Sequence, residues 1–232
     1  MSQIHFIGGE KGGVGKSLVA RVLSQYFIDR GLPFAGLDTD QSHGALLRFY
    51  ADYSVPIEID QPPSLDRIVE QAAATMNSRV LVDLAAQTQR PLWRWIEDSD
   101  VLAVAAELGV GLTYWHVMDS GRDSVDLLRK LLDQFGGKMR IVLVLNEVRG
   151  DRFDAYEASG LRIRVDQLGI GVMALHQLPD ATLQKIDQHS ASFWSALNQR
   201  DPCNPGSLGL LERQRVKVWL SRAYNEIDRL GV

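Results

Sequence analysis

A short apolar run, Ile4 to Ile7, ends in Gly8-Gly9-Glu10-Lys11-Gly12-Gly13-Val14-Gly15-Lys16-Ser17, and a helical pattern starts at Lys16. No other stretch restricts the fold so strongly. Glycines at 12, 13 and 15 let the backbone turn tightly and aim N–H groups inward, as a loop that cradles phosphate oxygens must. A helix that starts at the loop adds its positive N-terminal end to the same anion site. Lys16 is placed to reach the β- and γ-phosphates of a nucleotide, and the Ser17 hydroxyl to ligate Mg²⁺. A Gly-rich turn with an incidental Lys-Ser is the plainer reading. It leaves the agreement of loop and flanks unexplained.

Beyond the loop the chain alternates. Leu18, Val22, Leu23, Tyr26 and Phe27 recur at helical spacing up to about Arg30, Gly31 closes that helix, and Phe34–Leu37 reads as a strand ending at Asp38. A helix is expected from about Ser42 to Asp52, then a loop with a short strand around Pro56 and Pro62-Pro63, then a helix over Leu65–Met76. Arg79–Leu84 is the clearest buried strand, and Val101–Ala105, Thr113–Val117, Ile141–Leu145 and Gly171–Leu175 are further candidates. Asp123–Phe135 is an amphipathic helix between two of them. Strands alternating with helices of this length imply right-handed βαβ units, and so an α/β fold whose mostly parallel sheet carries helices on both faces. From Asp180 onward the pattern is helical, interrupted at Pro202, Pro205 and Gly206 before a last helix from about Leu208 to Leu230. One domain over 1–232, with a helical extension from about 180, is the economical division.

The 232 residues are 45% apolar, enough for one sizeable core. Lys and Arg number 25 against 29 Asp and Glu, so no overall positive field grips nucleic acid, although a local basic patch is not excluded. The single cysteine, Cys203, rules out an internal disulfide or a cysteine-ligated cluster within one chain and fits a reducing compartment. The five histidines are scattered and suggest no metal other than Mg²⁺. No apolar run is long enough to span a membrane, and the Gly-rich loop begins too early for a signal peptide. The expected location is the cytoplasm, with membrane attachment not anticipated.

The run Lys11-Gly12-Gly13-Val14-Gly15-Lys16-Ser17 resembles the deviant Walker A loop of the ParA/MinD group of P-loop ATPases. Glu10 stands where the ordinary motif has its first glycine, a position the ParA branch often alters. The resemblance implies that residues 12–17 (Gly12, Gly13, Val14, Gly15, Lys16, Ser17) bind ATP. It also implies that Lys11 crosses to a partner's nucleotide in an ATP-bound homodimer, placing a cation where transition-state charge develops. The plainer reading of Lys11 is a solvated loop cation.

Asp38-Thr39-Asp40 follows the second strand, at the carboxyl edge where a parallel sheet binds its ligand, and is similar to the family's Asp-x-Asp segment. By that match Asp40 orients the attacking water and Asp38 acts near the Mg²⁺ shell; as an isolated pair they would read as helix caps. Asp83, ending Val80-Leu81-Val82, reads as the Walker B carboxylate that holds Mg²⁺ through water. The family continues there with Pro or Gly, whereas this chain has Leu84-Ala85-Ala86-Gln87-Thr88, and Gln87 is a candidate for positioning water. Asn146, and Pro179 in Leu178-Pro179, resemble adenine-contacting positions; for Asn146 a turn role is equally open. The Asn-Lys-x-Asp run of a guanine reader is replaced by Asn146-Glu147-Val148-Arg149, which favours ATP.

Trp93 and Trp95, after the Asp83 strand, read as local packing or as a partner surface. In the last helix Val216, Trp219, Leu220, Ala223, Ile227 and Leu230 form one stripe, with Arg213, Arg215, Lys217, Arg222 and Arg229 mostly off it. Packing of the stripe is the main expectation, with a membrane-surface helix or DNA contact by the arginines the alternatives; Glu212, Glu226 and Asp228 argue against the membrane. The run Glu-Arg-Gln-Arg-Val-Lys-Val-Trp-Leu also resembles the tail of TraL-type ATPases of conjugal plasmid transfer. The expected function is a slowly hydrolysing, Mg²⁺-dependent, dimerising ATPase switch in partition, positioning or conjugal DNA transfer, stimulated by a protein partner. The alternative is a biosynthetic enzyme of the related dethiobiotin synthetase or cobyrinate amidase branch. A nitrogenase-reductase relative would need paired cysteines.

Overall fold

In the computed structural model residues 1–40, 44–148, 150–199 and 207–232 are described. Ser42, Arg149, Pro202, Cys203, Pro205 and Gly206 lie outside them, as do Gln41 after the Asp-x-Asp segment and His43, one of the five histidines. The elements run β1 (Gln3–Gly8), α1 (Lys16–Asp29), β2 (Phe34–Asp38), α2 (Ala45–Phe49), a 3-10 turn (Ala51–Tyr53), β3 (Ser54–Pro56), α3 (Pro62–Ala74) and β4 (Arg79–Asp83). They continue with α4 (Gln89–Asp98), α5 (Val101–Glu107), β5 (Gly111–Met118), α6 (Arg122–Phe135), β6 (Arg140–Asn146), α7 (Asp154–Ala158), α8 (Leu161–Gln167) and β7 (Gly171–Leu175). The chain closes with α9 (Asp180–Gln188), α10 (Phe193–Asn198) and α11 (Leu210–Leu230).

The strands form one seven-stranded sheet in the order β3-β2-β4-β1-β5-β6-β7. Every pairing is parallel. Successive side chains of a strand point to opposite faces, so each buried strand feeds two cores. In β5, Tyr114 and Met118 enter one core, whereas Trp115 and Val117 enter the other. The first core is roofed by α3 to α8, through residues such as Leu65, Trp95, Leu128 and Val165. The second lies under α1, α2 and α9 to α11, through Val19, Leu46, Ile186, Phe193 and Trp219. Trp95 is buried and Trp93 packs edge-on against Phe135, so both tryptophans are absorbed locally.

One expected strand is a helix. Val101–Ala105 lies within α5, which starts after Asp100 in a left-handed conformation (φ 45°) and ends before Gly109 (φ 64°). A short apolar run carries no decisive period, and the alanine-rich sequence lets one face pack through Val101 and Ala105 while Val104 and Leu108 stay exposed. The helix expected over 42–52 is shorter, with α2 confined to Ala45–Phe49 before the 3-10 turn.

Candidate functional site

The strand order reverses beside β1, since β1 leads through α1 to β2 on the far side of β4, while β5 lies on its other flank. At such a switch point the loops leaving the carboxyl ends separate and open a crevice. The loop from Gly9 to Gly15 leaves β1 there. Gly9, Gly13 and Gly15 have φ values of 142°, 75° and 95°, which only glycine adopts without strain. At Gly15 a second demand applies, because a β-carbon would stand 2.0 Å from Asn146 Nδ2. Asn146, at the end of β6, is buried and donates through that nitrogen to Val14 O at 2.7 Å. It thus braces the loop from behind.

Lys16 opens α1 and is only 7% exposed; its Nζ donates back to Lys11 O at 3.1 Å. Burial lowers its pKa, against the upward pull of Asp83 and Glu10. Asp83, at the end of β4, is buried as well. Desolvation, reinforced by the Asp38 charge, pushes its pKa up to about 8, although a hydrogen bond from Ser17 and the Lys16 charge act downward. Its Oδ1 has no hydrogen-bond partner. The unsatisfied oxygen of Asp83 and the Ser17 hydroxyl beside it are hard oxygen donors suited to Mg²⁺.

Asp38 and Asp83 are register partners on adjacent strands. Asp38 is fixed by the N–H groups of Asp40 (3.0 Å), Leu46 (2.9 Å) and Leu47 (3.3 Å), so it also caps α2. Burial raises its pKa despite those bonds. Capping and proximity to Asp83 are therefore compatible. Thr39 ties the two acidic loops together: its hydroxyl donates to Asp83 O at 3.1 Å and accepts from Ala85 N at 2.7 Å.

Lys11 is not a solvated cation. Its Nζ lies 3.1 Å from Asp119 Oδ2 and 4.0 Å from Asp123 Oδ2. Asp119 follows β5, is fully buried and also accepts from Gly121 N at 3.1 Å and Ser124 Oγ at 2.7 Å. Burial pushes its pKa up, but these donors and Lys11 outweigh it and hold the carboxyl below its ordinary value. Sequence reading passed over Asp119 and Thr39. The available signals were an acid directly after a strand, at the same edge as Asp38 and Asp83, and a hydroxyl between two acids. Pro179 stands exposed at the start of α9, two strands out from β5.

A parallel sheet with a glycine loop at its switch point, a lysine and hydroxyl at the next helix start, and paired acids on flanking strands defines a P-loop nucleotide-binding protein. Residues 5–190 match the CobQ/CobB/MinD/ParA nucleotide binding domain, and the chain belongs to that family. It is similar to Protein TraL of Escherichia coli, 27% identical with all of both chains covered. It is also similar to Protein MobD of Acidithiobacillus ferrooxidans, 26% identical over 93% of this chain and 95% of that one. Among solved structures, the MinC:MinD cell division protein complex of Aquifex aeolicus shares the fold, with a TM-score of 0.56 at 13% identity. That match covers 97% of this chain and 96% of the other.

Proposed function

We propose that the chain is an ATP-binding, slowly hydrolysing switch that pairs face to face with a second copy and serves DNA partition, positioning or conjugal transfer. The observation that carries this reading is the convergence of Lys16, Ser17, Asp38 and Asp83 at the mouth of the glycine loop, with Asp83 Oδ1 unsatisfied. The full-length likeness to TraL supports the conjugal branch.

Residues 12–17 offer backbone N–H groups to phosphate oxygens, and Lys16 turns from Lys11 O to the β- and γ-phosphates. Ser17 and, through water, Asp38 and Asp83 would hold Mg²⁺, which when bound neutralises charge on the phosphate oxygens. Asp83 would hold the ion as a carboxylate, releasing to solvent any proton that burial had kept on it. Asp40, whose backbone is tied to Asp38, orients the attacking water. Asn146 and Pro179 border the adenine, Asn146 acting also through its hold on Val14. Lys11 must leave Asp119 to reach a partner's nucleotide, so pairing competes with an internal ion pair. A protein partner that stimulates hydrolysis, and non-specific DNA, complete the reading.

The decisive test uses Asp40→Ala. It should bind ATP with wild-type affinity, hydrolyse it at least about a hundredfold more slowly, and accumulate a dimer visible by light scattering. Wild-type turnover would reduce Asp40 to a loop residue and remove the proposed water-orienting step.

A further inference from the structure

We propose that Glu10 is a positioning residue that straps the phosphate loop to the start of α4 and thereby sets the segment that follows Asp83. Glu10 occupies the place where the ordinary motif carries a glycine, and its side chain is not idle. Its Oε2 accepts from Gln89 N at 3.1 Å, across 79 positions of sequence. Gln89 is the first residue of α4 and is buried, so its N–H belongs to the group of helix-start donors that find no partner within the helix. The helix supplies no cap of its own. Thr88 makes no side-chain cap bond and instead donates its hydroxyl to Ala85 O at 2.8 Å, and the first turn holds no acidic residue. Glu10 supplies from the phosphate loop the acceptor that the start of α4 lacks.

The other end of the same segment is also held. Ala85 N donates to Thr39 Oγ1 at 2.7 Å, within the Asp38–Asp40 loop. Between the two anchors lies Gln87, exposed and in a left-handed conformation (φ 65°) that a non-glycine residue adopts only where its surroundings impose it. The turn from Ala85 to Gln89 is thus held at one end by the acidic loop and at the other by the phosphate loop, with Gln87 midway between the anchors. Glu10 also lies within electrostatic reach of Lys16, whose charged form it favours. It therefore sits between the lysine that would meet the phosphates and the helix that would respond to them. Its loss should leave the loop able to bind while the segment after Asp83 is no longer held for the chemical step.

The kinetic half of this inference rests on the ATPase reading; the structural half does not. Two conservative variants separate the bond from the charge. Glu10→Gln keeps an acceptor oxygen at the same reach without the charge, whereas Glu10→Asp keeps the charge on a chain one carbon shorter. Hydrogen exchange of the full-length, nucleotide-free protein, read on the peptide covering residues 84–98, reports the strap directly. Glu10→Asp and Glu10→Ala should exchange the first-turn amides of α4 about fivefold faster, the size expected for a lost helix cap, with Glu10→Gln close to wild type. Turnover at saturating ATP should fall in the same two variants while the ATP Kd, measured by titration, stays constant or tightens. Unchanged exchange in Glu10→Asp and Glu10→Ala overturns the strap whatever ATP does. Equal impairment of Glu10→Gln and Glu10→Ala overturns it too, since charge alone would then be the agent. If the wild-type chain neither binds nor hydrolyses ATP, the proposed function fails, and the exchange pattern still decides the strap.

Discussion

Around β1 and β4 the protein buries ionisable groups, whereas along α11 it buries hydrocarbon and leaves charge in water. Lys16, Asp38 and Asp83 are 7%, 1% and 3% exposed. On α11 the buried positions are Val216, Trp219, Leu220, Ala223 and Ile227, with Arg215, Lys217 and Arg222 exposed. Taking ionisable groups out of water costs several kcal/mol unless they are fully paired. Asp83 is not fully paired, having one orphaned oxygen. The loop region therefore carries a folding cost that a bound ligand would offset, while the last helix buries an apolar stripe that supplies stability. Substitutions should separate the two: function without stability in one region, stability without function in the other.

The largest effect is expected at the loop. Lys16→Ala removes the buried cation at the start of α1 that is proposed to meet the phosphates, and ATP affinity should fall by about a thousandfold or more, with melting temperature unchanged or raised. Calorimetric titration checks the first half and thermal unfolding the second. Wild-type affinity in this variant would take Lys16 out of the site.

Trp219→Ala sharpens the contrast from the other side. The indole packs 5.5 Å from the Phe193 ring, donates to His176 O at 2.6 Å and is 5% exposed. Its removal should cost about 3–5 kcal/mol of stability and leave the ATP Kd where it was. Denaturant unfolding with a small change would mean that α11 is a loosely docked appendage.

How well each region could be read in advance follows from the same physics. The phosphate loop was legible because positive φ and close approach demand glycine, and because Lys16, Ser17, Asp38 and Asp83 sit at strand and helix ends that periodicity locates. The stripe on α11 was legible for the same periodic reason. Val101–Ala105 was not, since a short apolar run has no period to betray it and its neighbours decide. Asp119 and Thr39 escaped because their meaning is a contact. Asp119 becomes significant only when β5 carries it to Lys11, and Thr39 only when β2 and β4 bring it to Asp83 O and Ala85 N.

The buried titratable groups make the cost at the loop measurable by pH. His5 and His116 are buried, and desolvation lowers their pKa values from 6.5 to about 3 and about 4, with Arg79 and Arg140 adding to the effect at His5. Below pH 6.5 the unfolded chain takes up two protons that the folded chain refuses, so these histidines contribute stability that is complete above pH 6.5 and is lost as pH falls. Asp83 acts oppositely: burial and Asp38 hold its proton to about pH 8 against 3.8 unfolded, so stability falls as pH rises through that window. Through these three groups alone, the unfolded chain binds one more proton net from about pH 4 to 6.5, and one fewer from 6.5 to 8. Each proton is worth about 1.4 kcal/mol per pH unit. Metal-free protein should therefore be most stable near pH 6.5 and lose about 2 kcal/mol by pH 8. Asp83→Asn should flatten the alkaline limb. Denaturation midpoints that keep rising from pH 6.5 to 8 in metal-free buffer would place an ionised Asp83 in the folded state.

The smallest stability effect is expected at the surface of α11, and it decides whether that helix has any chemistry. Lys217 and Arg222 have no ion pair among the described residues, and Arg213 donates to Leu208 O at 2.6 Å. Replacing Arg213, Arg215, Lys217 and Arg222 together by Ala should shift stability little, since exposed charges contribute about 0–1 kcal/mol each. If the helix only packs, DNA affinity is unchanged as well. If these side chains touch phosphates, binding weakens for every sequence, and the slope of log affinity against log salt falls by roughly 0.9 per lost contact. Acidic Glu226 engages Arg229, and Glu212 engages Lys185, so negative charge is interleaved along the same helix and dilutes the field that a DNA surface needs. A flat response to the fourfold substitution, alongside a large one to Trp219→Ala, is the expected result. A steep salt-dependent loss would move α11 into the functional half of the molecule, and the division between a charged site and a purely structural helix would no longer hold.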